Sequence, residues 1–156
     1  MESIAMQLTY FEDIRIGWKG HSGEYVIAKE ELIAFARKWD PLPMHTDETA
    51  ARESLHQGLI APACYTMAVA SRLLSEIEPR PAAIGGAGYD QFRLPNPVRP
   101  GDRLSLTVEC IGKKPSRTKP DRGVMRCLII MTNQDDQRVL SYESITMVTK
   151  RKPGIE

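Results

Sequence analysis

At 156 residues and a net charge of +1, the chain is long enough for one domain with a substantial core. It carries no global field suited to nucleic acid or to an anionic membrane surface. Hydrophobic residues make up 42% and charged residues 26%, the balance of a soluble globular protein. The three cysteines, Cys64, Cys110 and Cys127, are widely spaced, odd in number and without a Cys-x-x-Cys pair. Neither a structural zinc site nor a disulfide framework is expected from them. Cys64 and Cys127 lie in apolar runs and read as buried thiols of a reducing compartment. Met1–Ile4 has no basic region followed by an apolar one, so no signal peptide is expected. The longest apolar stretch, 59–69, falls short of the ~20 residues of a membrane span. The expectation is a single cytoplasmic domain over 1–156, with no membrane and no nucleic-acid partner.

In chain order, residues 23–27 read as a first strand. Residues 28–39 read as an amphipathic helix, with Leu32, Phe35 or Ala36, and Trp39 recurring at helical spacing. That helix stops at Asp40-Pro41. Residues 47–54 form a second, short helix with Asp47 as N-cap. The run 59–74 is apolar nearly all round, as in a helix buried within a core. Pro62 fits only in its first turn, so the regular helix starts near Ala61 or Pro62.

After Pro81 the pattern becomes that of strands: 89–94, 103–112, 123–132 and 138–150. In 103–112, Leu104, Leu106, Val108 and Cys110 alternate with Ser105, Thr107 and Glu109. The polar turn 133–137 makes a hairpin of the last two strands. One buried helix followed by antiparallel strands is an α+β pattern, in which the strands must wrap the helix.

The candidate chemistry lies between the first two helices. Asp40 ends a helix, Pro41 and Pro43 stiffen the link that follows, and His45 comes five residues after the acid. Proline fixes φ and cannot donate a backbone hydrogen bond, so the link reads as stiff and extended. A carboxylate and an imidazole held at a fixed separation can bind and polarise one water molecule.

The run FARKWDPLPMHTDETAA resembles the hydratase motif of the MaoC-like dehydratases, the (R)-specific enoyl-CoA hydratases of the hotdog superfamily. That motif has the form Asp-x-Asn-Pro-x-His, then an Asp and an Ala-rich helix. Asp40, Pro43, His45 and Asp47 fall at the matching places, whereas Leu42 stands where the motif has Asn. HQGLIAPACYTMAVASRLL resembles the family's central helix with its entry loop, and GAGYDQFRLPNPVRPGDRLSLTVE the next strand and its Pro-Gly-Asp corner. The resemblance spans roughly 11–151. It implies a hotdog fold, an antiparallel sheet wrapped around a long hydrophobic central helix.

It also implies hydration of an α,β-unsaturated acyl thioester. The thioester would be carried by coenzyme A or an acyl-carrier protein, and no cofactor would take part. Asp40 would be the main water-activating base, while His45 positions the same water and shares proton delivery to C2. The Gly58 N–H would meet the thioester oxygen, and Thr66 would match a supporting hydroxyl on the central helix. A homodimer or dimer of dimers follows from the fold, because a free edge strand invites a second copy.

Basic residues cluster once, in GKKPSRTKPDRG: Lys113, Lys114, Arg117, Lys119 and Arg122. They read either as a solvated hairpin tip or as contacts for coenzyme A phosphates or an acidic carrier protein. His56 and His21 read as loop residues. Asp40, His45 and Asp47 lack the spacing and the further nitrogen or sulfur ligand of a metal site, so none is expected. Two rival readings share the fold: a thioesterase, and a non-catalytic thioester-binding subunit.

Overall fold

One antiparallel sheet carries the molecule, and a single long helix lies against it. The computed structural model describes residues 7–152. Leu8–Thr9 (β1) precedes a single 3-10 turn at Phe11–Asp13, and Lys19–His21 (β2) and Tyr25–Val26 (β3) follow. Helices come next: Lys29–Trp39 (α1), Pro43–Thr46 (α2), Glu48–Glu53 (α3) and Ala63–Leu74 (α4). Arg80–Pro81 (β4), Ala83–Arg93 (β5), Arg103–Pro115 (β6), Arg122–Thr132 (β7) and Arg138–Thr149 (β8) complete the fold. The large sheet has the order β2-β6-β7-β8-β5, with β3 also pairing β6, and β1 pairs β4 in parallel as a separate two-stranded piece. Met1–Ile4, where a leader was sought, lies outside the described residues.

The alternation read in 103–112 sets the core face of β6. Leu104, Leu106, Val108 and Cys110 are buried, while Ser105, Thr107 and Glu109 turn away. Cys127, Ile129 and Met131 of β7, and Leu140 and Tyr142 of β8, join them beneath Tyr65, Val69, Ala70 and Leu73 of α4. α1 closes the other side with Leu32 and Ala36, and its Phe35 ring meets Tyr65 edge-on at 5.2 Å. The α+β architecture expected from the sequence is therefore present.

Several local expectations need correction. α4 is not buried all round within the protomer: Ala63, Cys64, Ala68, Ser71 and Arg72 are exposed, because the sheet covers one face and α1 only part of the rest. Cys64 is accordingly an exposed thiol, whereas Cys110 and Cys127 are buried. Burial pushes the Cys127 thiol up to about 12, with the neighbouring Cys110 adding to the effect. The strand expected at 89–94 is the far half of a strand that begins at Ala83. The link from Asp40 to His45 is extended only through Leu42 (φ −74°, ψ 144°); Pro43 then opens the one-turn helix α2.

Candidate active site

Two helix ends set the geometry. The α1 chain leaves its helix at Asp40 (φ −156°, ψ 74°), whose N–H still donates to the Ala36 carbonyl at 2.8 Å. The turn that follows is braced by its own backbone. Leu42 N–H donates to the Asp40 carbonyl, and His45 N–H donates to the Leu42 carbonyl, both at 2.9 Å. Asp47 then caps α3, its carboxylate accepting from Thr49 N–H at 2.8 Å and Ala50 N–H at 3.0 Å. This is the cap the sequence predicts, and it fixes where α2 must end.

Within this frame the imidazole is oriented from both sides. Its Nδ1 lies 2.7 Å from the Ile60 carbonyl, and its Nε2 lies 3.6 Å from Asp40 Oδ2. A carbonyl only accepts, so the Ile60 contact places the proton on Nδ1 and leaves the Nε2 lone pair facing the carboxylate. Ile60 is held in turn, its N–H donating to the Met44 carbonyl at 3.2 Å, and Ala61 N–H donates to the Val98 carbonyl at 2.8 Å. The His45 side chain is 5% exposed and that of Asp40 is 35% exposed, so the pair has a closed end and an open end. At 3.6 Å, Nε2 and the carboxylate are too far apart for a direct hydrogen bond. Two acceptors spaced in this way suit one water molecule that donates a hydrogen to each.

The other expected site residues do not all converge here. Gly58 N–H is already donated to the Ala51 carbonyl at 3.0 Å, so it is not the free donor expected at the thioester oxygen. The loop 54–58 folds back on α3, which is why that bond forms: Gln57 N–H reaches the Ser54 carbonyl at 3.0 Å, and Ser54 Oγ reaches the Ala51 carbonyl at 2.6 Å. Thr66 is buried with Oγ1 on the Pro62 carbonyl at 3.3 Å, the back-bond of a helix-interior threonine. Among the described residues the N–H groups of Leu59, Ala63 and Cys64 have no backbone acceptor, a set the sequence reading did not single out. Two of them belong to the first turn of α4, where such donors are expected.

The basic cluster lies at the tip of the β6–β7 hairpin, at the opposite end of β6 from Val98 and Ala61. Lys113 is spent on the Phe11 and Glu12 carbonyls, both at 3.1 Å, and Arg122 on the Asp121 carboxylate at 2.8 and 2.9 Å. Lys114, Arg117 and Lys119 are exposed there. Within one protomer, then, these five residues are not brought to the Asp40–His45 pair. A cavity of about 470 Å³ lies at the C-terminal end of α4, between Leu74 and Ile77 and the buried Cys110 and Cys127. No group of His, Cys, Asp and Glu suited to a metal ion occurs among the described residues.

A model of the MaoC like domain matches residues 18–127. The chain belongs to the MaoC-like dehydratase family. The MaoC-like dehydratase of Rhodospirillum rubrum is 34% identical; the match covers 92% of this chain and 99% of that one, with a TM-score of 0.86. The 3-hydroxybutyryl-CoA dehydratase of Methylorubrum extorquens is 28% identical over 94% of this chain and 88% of its own length. A Mycobacterium tuberculosis protein described as a double hotdog fold is 15% identical with a TM-score of 0.77, covering 98% of this chain and 47% of that one. This MaoC-like protein therefore has the hotdog fold that its sequence implied.

Proposed function

We propose that this MaoC-like protein adds water reversibly across the α,β double bond of an enoyl thioester, giving a 3-hydroxyacyl thioester. The observation that carries the reading is the Asp40–His45 pair, a carboxylate and an imidazole lone pair 3.6 Å apart with the imidazole tautomer fixed by the Ile60 carbonyl. A water that donates one hydrogen to each group keeps a lone pair for C3 of the substrate. As the C3–O bond forms, the water proton passes to the pair, chiefly to Asp40, and charge moves to the thioester oxygen as an enolate. The pair then returns a proton to C2. In the dehydration direction the same groups remove the C2 proton and protonate the departing hydroxyl. The enolate oxygen needs donors, and with Gly58 committed to Ala51 they come from the unpaired N–H groups of Leu59 and the first turn of α4.

The relatives support a thioester substrate: one is a 3-hydroxybutyryl-CoA dehydratase by name. The same reading includes a second copy of the chain, paired through the free edge of β5, as a dimer or dimer of dimers. The test is hydration of crotonyl-CoA, followed by loss of the enoyl absorbance with free thiol measured in parallel. Asp40→Asn and His45→Ala should each lower turnover by about 100-fold or more, the scale of acid–base catalysis, and both should stay folded. Thiol release without loss of the double bond would favour a thioesterase instead. Near-wild-type turnover in either variant would remove the pair from the mechanism.

A further inference from the structure

A second cleft opens beside the loop that carries Gly58, and it is built from three distant parts of the chain. Its walls are Lys29 at the start of α1, Arg52 on α3, the Gly58-Leu59 backbone and the Arg99-Pro100 turn, enclosing about 230 Å³. Arg99 is fixed at both ends. Its N–H donates to the Asp102 carboxylate at 2.8 Å, and its guanidinium donates to the His56 carbonyl at 2.7 Å. Gly58 is part of the same construction: a Cβ there would meet Arg99 Nη1 at 3.3 Å, so a side chain would crowd the guanidinium. Of the three cations, only Lys29 has an ion-pair partner among the described residues, Glu48 at 3.1 Å. Arg52 is exposed and has no such partner. Leu59, which lines the cleft, is also one of the residues whose N–H has no backbone acceptor among the described residues.

We propose that this cleft holds the phosphate of a phosphopantetheine arm, the carrier of the acyl group. Two uncommitted or half-committed cations and a fixed arginine around one opening are the chemistry that recognises a phosphate. Position agrees with chemistry. Leu59 leads directly to Ile60, the residue that orients His45, so the cleft opens next to the acid–base pair. Lys29 and Asp40 stand at opposite ends of the α1 segment, about 16 Å apart along its axis. An extended pantetheine chain bridges a span of that order between its sulfur and its phosphate. The cations therefore lie where a thioester poised at Asp40–His45 would place that group. The hairpin tip with Lys114, Arg117 and Lys119 lies at the far end of the sheet.

The proposal rests on the hydratase reading, and the test separates the two. Turnover is compared on crotonyl-CoA, on a crotonyl carrier protein and on crotonyl-N-acetylcysteamine, which lacks the phosphate. Arg52→Glu and Lys29→Glu should each lower the preference for crotonyl-CoA over the truncated thioester by about tenfold, mostly through KM, as loss of one charge-assisted contact implies. An equal loss on the carrier-protein ester assigns the cleft to the phosphate both carriers share. A loss confined to the coenzyme A ester assigns it to the nucleotide phosphates and overturns the proposal. An unchanged preference in both variants also overturns it, as does a drop caused by Arg117→Glu instead.

Calorimetry needs no turnover. 4′-Phosphopantetheine should bind the wild type about tenfold more tightly than pantetheine and lose that advantage in Arg52→Glu. If this holds while no enoyl thioester is hydrated, the cleft stands and the hydratase reading fails. Equal binding of the two compounds, with hydration intact, leaves the hydratase and sinks the cleft.

Discussion

Leu42 separates what the motif asks of a side chain from what the backbone already supplies. The polar Asn of the family motif would brace the turn between Asp40 and His45. Here the turn is braced by backbone: Leu42 N–H holds the Asp40 carbonyl, and the Leu42 carbonyl accepts from His45 N–H at 2.9 Å and from Thr46 Oγ1 at 3.1 Å. The Leu42 side chain itself is 47% exposed. Restoring an amide therefore adds at most one further hydrogen bond in partly solvated surroundings, worth about 1 kcal/mol. Leu42→Asn should change hydratase turnover by less than about threefold, whereas a gain of about tenfold, or ~1.4 kcal/mol of barrier, would mean that the missing amide weakens the water site. Asp40 and His45 were legible in the sequence because both belong to one short, proline-stiffened segment. The commitment of Gly58 to Ala51 was not, because it depends on how the loop 54–58 turns back on α3. Arg99 was even less visible: its guanidinium bonds a carbonyl 43 positions earlier in the chain.

At the scale of elements, the hydrophobic alternation located β6, β7 and β8, whose inner faces form a continuous core. It missed most of β5, where Gly85, Gly86 and Gly88 dilute the pattern and three register shifts interrupt the pairing with β8. It also missed β2, a three-residue strand centred on a glycine. That glycine has a packing reason. A Cβ at Gly20 would stand 2.7 Å from both Ile77 Cγ2 and Trp18 Cη2, and 3.2 Å from Val108 Cγ1. β2 can lie against β6 under the end of α4 only without a side chain at this point. Gly20→Ala should cost about 1–3 kcal/mol through overpacking. For a chain of this size that lowers Tm by about 2–4 °C per kcal/mol, measured by thermal unfolding followed by circular dichroism. Gly23→Ala is the control, since a Cβ there meets nothing within 4 Å, and it should stay within about 0.5 kcal/mol of wild type. Equal Tm values for the two variants would show that the Gly20 contact relaxes without cost.

At the scale of the whole molecule, the protomer leaves unfinished two surfaces that a second copy would complete. β5 is the last strand of the sheet, bonded to β8 on one side and to no other strand on its outer edge. It is 11 residues long, and Ile84 and Tyr89 on it are 45% and 55% exposed. A long, apolar, uncharged edge is a template for another strand, and proteins that remain monomeric usually blunt it with charge, proline or a cover. On α4, the small residues Ala63, Cys64 and Ala68 are also exposed, although the helix reads as apolar all round. Two copies meeting at β5 by a two-fold axis would extend the sheet without leaving that edge open. Sedimentation at micromolar concentration should then give a dimer or a dimer of dimers. Ile84→Lys should shift the equilibrium toward monomer by about tenfold or more, because it places a charge on the contact that pairing must desolvate. Wild-type protein that sediments only as a monomer would rule out the β5 edge as an interface. A dimer untouched by Ile84→Lys would move the contact elsewhere on the surface.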